Sequence, residues 1–350
     1  MVHIHDTHVL MVSLFYHGHI NPMVRYAKLL TSRGIHVTIA TTNHARDQIL
    51  NGLAKQSDFI DFEFFDDGLD AELDREKNLG ILLEEYLPRD GVKNLSNLIY
   101  ALEGKEETLV HSMMQFKPIL PIGPLVSPYM LNVGEALEGE EENDLCLDWL
   151  DKQGASSVIY IALGSISIMS QSETEALAMA LESDSNRRFL WVRKEGENGW
   201  GGKTGELPKG FLENTKDRGL IVPWCRQDKV LMHPAIKCFL THCGWNSTLE
   251  TISAGVPVIA YPDWTDQPTN AKLLVDVFKV GVRMKKIKDG ELGRDEIERC
   301  IVEVTTGQRA LAMKEQATKW KVAAKKATSS GGSSNMNIEN FINAIRGKFV

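Results

Sequence analysis

The chain has 350 residues, 43% of them hydrophobic and 25% charged, an ordinary globular composition at a length that calls for two domains rather than one. Its formal net charge of -8 argues against a broad electrostatic footprint for nucleic acid or an anionic membrane, so any phosphate it binds must be met locally. Five cysteines without a C-x-x-C pair argue against a disulfide framework and fit reduced thiols in the cytoplasm.

In chain order, His8 to Tyr16 is a continuous apolar run, far shorter than the ~20 residues of a membrane span, and reads as a buried strand. A turn at Gly18-His19-Ile20-Asn21-Pro22 leads into a helix to Ser32, stopped by Gly34, and a second strand from Ile35 to Ala40. This is a βαβ unit, whose ligands belong at the carboxyl ends of its strands, where His17 and His19 lie. A helix from Asn43 to Leu53, a strand from Phe59 to Phe65 and a helix from Leu79 to Leu102 interrupted near Pro88 are expected next. The glutamate- and glycine-rich segment 132–144 has the composition of a solvated linker. The expected division is therefore a first domain at 1–131, a linker at 132–144, a second domain at 145–330 and a tail helix at 331–350.

Strands are expected at Ser157–Leu163, Phe189–Val192, Gly219–Val222 and Lys237–Thr241. Between them come a tight turn at Gly164-Ser165, a helix over Gln171–Leu181 with a capping box from Ser172 to Glu175, and a glycine-rich loop over Gly196–Gly205. Helices from Arg294 to Lys326 follow, broken at Gly331-Gly332-Ser333-Ser334 before an amphipathic piece from Ile338 to Ile345. The alternation implies a second doubly wound α/β domain.

The chemistry concentrates between Trp224 and Gln267. His242-Cys243-Gly244-Trp245-Asn246 is a turn from a strand into a helix over Ser247–Ala254, closed by Gly255 and Pro257. Such a helix N-terminus at the carboxyl end of a parallel strand is an anion site, suited to a phosphate-bearing ligand. Ser247 and Glu250 have capping-box spacing, and Trp224 just past a strand could stack on a flat ring. His233, Cys238, His242 and Cys243 match no common zinc spacing, so no metal is expected. Gly202-Lys203-Thr204 ends like a P-loop but lacks the first glycine, and neither G-x-G-x-x-G after the first strand nor G-x-S-x-G is present. His19 is the candidate general base.

Across its 44 residues this stretch resembles the plant secondary product glycosyltransferase signature of family 1 UDP-glycosyltransferases. Trp224-Cys225-x-Gln227, His233-Pro234, His242-Cys243-Gly244-Trp245-Asn246-Ser247, Glu250, Gly255-Val256-Pro257 and Asp266-Gln267 fall in register. Gly18-His19-Ile20-Asn21-Pro22, Ile122-Gly123-Pro124-Leu125, Trp149-Leu150-Asp151, Gly164-Ser165 and Phe189-Leu190-Trp191 are similar to the same family. The resemblance implies a GT-B fold, two Rossmann-like doubly wound α/β domains with an interdomain cleft, in a monomer that binds UDP-glucose and a small acceptor. It implies that Trp224 stacks on uracil with Cys225 and Gln227 beside the nucleoside, and that Glu250 holds the ribose hydroxyls. His242, Asn246, Ser247 and Ser165 would meet the diphosphate, Trp245, Asp266 and Gln267 would face the sugar, and Gly244 would belong to the same UDP-sugar site. His19 would be the base of an inverting transfer that needs no cofactor or metal.

One departure from the family is visible. Between Leu102 and Pro118 the family has a long run of strands and helices, of which this chain keeps a short charged stretch. With that run goes the Asp that in many members pairs with the catalytic histidine. Strand 1 is expected to lack a neighbour on one side, a liability for so apolar a segment. An active glucosyltransferase, a truncated UDP-sugar-binding homologue and an interaction partner of a full-length relative are the three readings. Phe64-Phe65-Asp66-Asp67-Gly68-Leu69 and Pro124-Leu125-Val126-Ser127-Pro128 look most like the branch that makes glucose esters of phenolic acids.

Overall fold

The computed structural model describes residues 7–14, 16–46, 60–68, 121–131, 144–164, 169–193, 198–199, 202–286 and 292–347. The chain forms two compact units, one made of residues 1–125 and 330–350, the other of residues 126–329. The helix expected over Leu79–Leu102, the linker and Ser165 lie outside the described residues.

In the first unit β1 (His8–Val12), β2 (His36–Thr42) and β3 (Ile60–Phe65) form a parallel sheet in that order, with His8 opposite His36 and Val37 opposite Ile60. Helix α1 (His17–Thr31) packs on β2 and β3, and its residues Ile20, Val24, Ala27 and Leu30, at helical spacing, are buried. The helix begins five residues ahead of Pro22, so Gly18 to Asn21 are helical where a turn was expected. The proline forfeits one intrahelical bond, which its missing N–H would have made to the first turn. Asn43–Ala45 forms a 3₁₀ turn at the start of the helix expected over Asn43–Leu53, whose residues 47–53 lie outside the described residues.

Among the described residues β1 pairs with β2 alone, and Val12 is 41% exposed. The equivalent first strand of the second unit, with neighbours on both sides, is buried throughout.

The second unit holds β4 (Val158–Ala162), β5 (Arg188–Val192), a short hairpin of β6 (Asn198–Gly199) and β7 (Gly202–Lys203), β8 (Gly219–Val222), β9 (Ile236–Thr241), β10 (Val258–Ala260) and β11 (Gly281–Arg283). The main sheet is parallel with order β11-β10-β9-β4-β5-β8. Numbered within the unit this is 6-5-4-1-2-3, the doubly wound order whose direction reverses between β4 and β9. Residues alternate along β4: Ile159 and Ile161 face one hydrophobic core, Val158, Tyr160 and Ala162 the other.

Helices α2 (Pro128–Leu131) and α3 (Leu145–Leu150) belong to this second unit. Val126 and Met130 lie in the same core as Tyr160 and Phe239, so the first domain ends at Leu125 and not at residue 131. Helix α4 (Gln171–Glu182) opens with a capping box two residues earlier than expected. Ser170 Oγ accepts from the Glu173 amide at 3.2 Å, and Glu173 Oε2 accepts from the Ser170 amide at 3.1 Å. The remaining helices are α5 (Phe211–Thr215), α6 (Gln227–Met232), α7 (Trp245–Ala254), α8 (Gln267–Lys272) running into a π turn at Leu273–Val277, α9 (Arg294–Thr305) and α10 (Ala310–Thr328).

The tail is not a separate piece. Helix α11 (Ser333–Ile345) starts five residues before the expected amphipathic segment and belongs to the first unit. Ser334, Ile338 and Ile342 form its buried stripe, Asn337 Nδ2 donates to the Pro121 carbonyl at 2.7 Å, and the Phe341 ring meets Tyr26 of α1 at 6.2 Å. Arg33 Nε donates to Glu339 Oε1 at 2.6 Å, and Arg346 donates to the Arg33 carbonyl.

Gly281 sits directly opposite Val258 in the sheet, and a Cβ there would lie 2.1 Å from the Val258 carbonyl oxygen. Gly281→Ala is therefore expected to cost about 1–3 kcal/mol of stability by forcing β10 and β11 apart. Denaturant unfolding of the variant beside the parent measures it; an unchanged midpoint contradicts the close approach.

Candidate functional site

The reversal of strand order between β4 and β9 places a crevice at the carboxyl ends of these two strands, where open α/β sheets bind ligands. Gly164 follows β4 with φ of 79°, and His242 follows β9. A Cβ at Gly164 would lie 2.6 Å from His242 Nε2, and one at Gly244 would lie 2.5 Å from the same atom. The imidazole is thus clamped between two glycines, and any side chain at either would expel it.

His242 keeps a little exposed surface, but its Nδ1 is buried with no hydrogen-bond partner. Burial lowers its pKa from the usual 6.5 to about 4, against the opposing pull of Asp266. At neutral pH the ring is uncharged, so it meets an anion as an N–H donor and not as a cation.

Helix α7 starts at Trp245 with Gly244 as N-cap, and no side chain caps it. The capping box expected from Ser247 and Glu250 is absent: Ser247 is the third helical residue and both side chains serve another partner. Gln227 Nε2 donates to Ser247 Oγ at 3.0 Å and to Glu250 Oε2 at 2.7 Å. Its Oε1 accepts from the Tyr160 hydroxyl at 3.1 Å. The Gln227 amide is committed to the protein, and Glu250, only 5% exposed, is held by it.

Cys243 takes a left-handed φ of 65°, rare for a residue with a Cβ. Its amide donates to Thr241 Oγ1 at 3.1 Å, and its carbonyl accepts from Asn270 Nδ2 at 3.0 Å. Asn270 Nδ2 also donates to Asp266 Oδ2 at 2.6 Å, which ties the start of α7 to the loop after β10. At the start of α8, Gln267 Oε1 accepts from the amides of Asp263 and Trp264 at 2.9 and 3.3 Å, so its amide N–H groups are left to point elsewhere.

Two indoles stand out of this cluster: Trp224 is 69% and Trp245 50% exposed. Cys225, expected among the binding residues, turns its thiol inward instead, 3.2 Å from the Tyr160 hydroxyl in a core that also holds Cys146. Only its backbone is left to face a ligand.

His233, Cys238, His242 and Cys243 do not converge on a metal position, and no cluster of three ligating groups occurs among the described residues. His233 instead meets Asp151 at 3.0 Å. His19 lies in the first turn of α1 in the other unit, exposed, with the Tyr16 ring 6.1 Å away. Among the described residues its imidazole has no carboxylate partner.

Tyr160 and Asn270 had no motif to mark them. Asn270 was legible only through its i+4 spacing from Asp266.

The neutral His242 has a consequence for stability. The unfolded chain takes up a proton near pH 6.5 while the folded chain resists until about pH 4, so stability is full above 6.5 and falls as pH drops through that window. The loss is at most about 3 kcal/mol, since the ring keeps some exposed edge. Unfolding measured from pH 7 to 4 is expected to show a flatter pH dependence for His242→Asn than for the parent; parallel curves contradict the buried neutral ring.

The family model described as "UDP-glucoronosyl and UDP-glucosyl transferase" matches residues 112–308. UDP-glycosyltransferase 84B2 of Arabidopsis thaliana is 35% identical, over 96% of this chain and 99% of its own length. That alignment runs over 442 positions, 92 more than the 350 residues of this chain, in keeping with the shortened first domain. A cinnamate beta-D-glucosyltransferase of Fragaria ananassa is 44% identical over 69% of this chain and 44% of its own length. The crystal structure of Os79 from O. sativa in complex with UDP superposes with a TM-score of 0.79 at 25% identity, covering 97% of this chain and 100% of that one. By family model, relatives and GT-B fold alike, the chain belongs to the plant family 1 UDP-glycosyltransferases.

Proposed function

We propose that this chain transfers glucose from UDP-glucose to a small carboxylic or phenolic plant metabolite, with inversion at the anomeric carbon, in the cytoplasm and without a metal. The observation that carries the reading is the uncharged His242 clamped between Gly164 and Gly244 beside a glycine-capped helix N-terminus. Such a site offers neutral N–H donors to a diphosphate and needs no cation. Five free, buried cysteines support a reducing, cytoplasmic setting.

In this reaction Trp224 stacks on uracil, Glu250 holds the ribose hydroxyls, and Asn246, Ser247 and Ser165 join His242 on the diphosphate. Trp245, Asp266 and Gln267 take the sugar. The acceptor oxygen bonds to the anomeric carbon as the bond from that carbon to the diphosphate oxygen breaks and UDP leaves with the electron pair. His19 takes the acceptor proton where there is one to take.

That last condition favours a carboxylic acceptor. An acid with a pKa near ~4 is already ionised at neutral pH, whereas a phenol near ~10 needs a base. A His19 with no carboxylate partner among the described residues suffices for the first far better than for the second. The relative named for cinnamate, a carboxylic acid, points the same way. A second reading, UDP-sugar binding without turnover, is favoured by the 92-position excess of the alignment.

Calorimetric UDP binding, alongside glucose transfer to aromatic acids and to phenols with and without EDTA, separates the two. Transfer to acids that EDTA leaves unchanged is expected, and binding without transfer to either acceptor class favours the second reading. His19→Ala should slow transfer to phenols by about 10²–10⁴-fold and to carboxylic acids much less; equal losses would remove the argument for an acid acceptor.

A further inference from the structure

Resting on the reading of Glu250 as the ribose-binding group, we infer that Tyr160 is a positioning residue for the nucleotide, acting through Gln227 on Glu250. Tyr160 lies in the middle of β4, 1% exposed, with its ring stacked on Phe239 at a centroid separation of 4.7 Å. No part of it reaches the surface that a ligand would touch. Its hydroxyl nonetheless forms the buried end of a polar chain that leads there.

The direction of that chain follows from which atoms can donate. Glu250 as a carboxylate accepts only, so Gln227 must present its Nε2 to Glu250 Oε2 and, with its second hydrogen, to Ser247 Oγ. The amide oxygen is then turned back toward β4, where the Tyr160 hydroxyl donates to it at 3.1 Å. Tyr160 accepts in turn from the Cys225 thiol at 3.2 Å, since its one proton is already committed. Burial keeps the phenol protonated, and the hydrogen bond with Cys146, together with burial, does the same for this thiol.

The carboxylate therefore selects one of the two orientations of the Gln227 amide, and the Tyr160 hydroxyl satisfies the amide oxygen that this orientation buries. Flipped by 180°, the amide would place its oxygen against the Glu250 carboxylate and its N–H groups against Tyr160, setting two acceptors together in a buried site. Tyr160 thus steadies, through two hydrogen bonds and the amide between them, the donor that holds Glu250. A tyrosine that merely filled the core would need its ring but not its oxygen.

The test uses the full chain with two probes, UDP and 2′-deoxy-UDP, and reads the ratio of their dissociation constants. The parent is expected to prefer UDP, because a held carboxylate accepts from the ribose hydroxyls. Tyr160→Phe, which keeps the ring, is expected to shrink that preference at least about threefold, the effect of losing roughly one hydrogen bond, with the uracil-dependent part of binding retained. Gln227→Met should shrink it as well, and adding Tyr160→Phe to Gln227→Met should change it no further, because the connecting amide is gone. A Tyr160→Phe chain that weakens both probes equally, or neither, overturns the inference, as does an effect of Tyr160→Phe that persists in the Gln227→Met background. If the parent failed to bind UDP, the nucleotide reading of the site would fall with it. UDP binding with unchanged discrimination would remove only the role of Tyr160.

Discussion

The clamping of one imidazole between two glycines organises the second unit. His242 can follow β9 with its ring packed toward β4 only because Gly164 and Gly244 lack side chains, and Gly164 also takes a left-handed φ of 79°. Gly244 is in addition the N-cap of α7, so the residue that admits the ring is the one that leaves the helix without a side-chain cap. The strand order puts all three at the point of reversal between β4 and β9. A ligand site is therefore implied by the backbone before any functional side chain is considered.

Around this clamp the polar groups are held by other protein groups. Gln227 spans from Tyr160 to Glu250 and Ser247, and Asn270 spans from Cys243 to Asp266. The Gln227 amide joins β4 to α7, and the Asn270 amide joins the turn before α7 to the loop before α8. The left-handed backbone of Cys243 and Thr265 falls in two of these loops, where strain is carried by the surrounding hydrogen bonds. A site so fixed before its ligand arrives loses little freedom on binding.

Much of this was legible in the residue order. The strand at Gly219–Val222 falls on the residues expected, and β4, β5 and β9 differ by a residue or two, because short apolar runs between turn residues leave few alternatives. The helix N-terminus at His242–Asn246 was legible from its glycine and from the strand before it. What escaped were features set by tertiary partners. Ser247 and Glu250 have the spacing of a capping box, but Gln227, twenty residues earlier, recruits both side chains, and no local pattern encodes that. The capping box of α4 uses Ser170 and Glu173 rather than Ser172 and Glu175, because the same S-x-x-E pattern occurs at neither alone and packing decides between them. Cys225 looked like a surface residue of a binding motif until the core on its other side was known.

The path of the chain has a consequence for how the molecule is made. Because α11 completes the first unit, the second is an uninterrupted insertion, entered after Leu125 and left at Ser329. Its whole sequence has been synthesised before the last element of the first unit exists. During translation the second unit can reach its native core while α1 still waits for Phe341 and Glu339 to arrive. The unit that starts first is therefore the unit that finishes last, and the side of α1 that carries Tyr26 and Arg33 lacks its α11 partners for the whole of that interval.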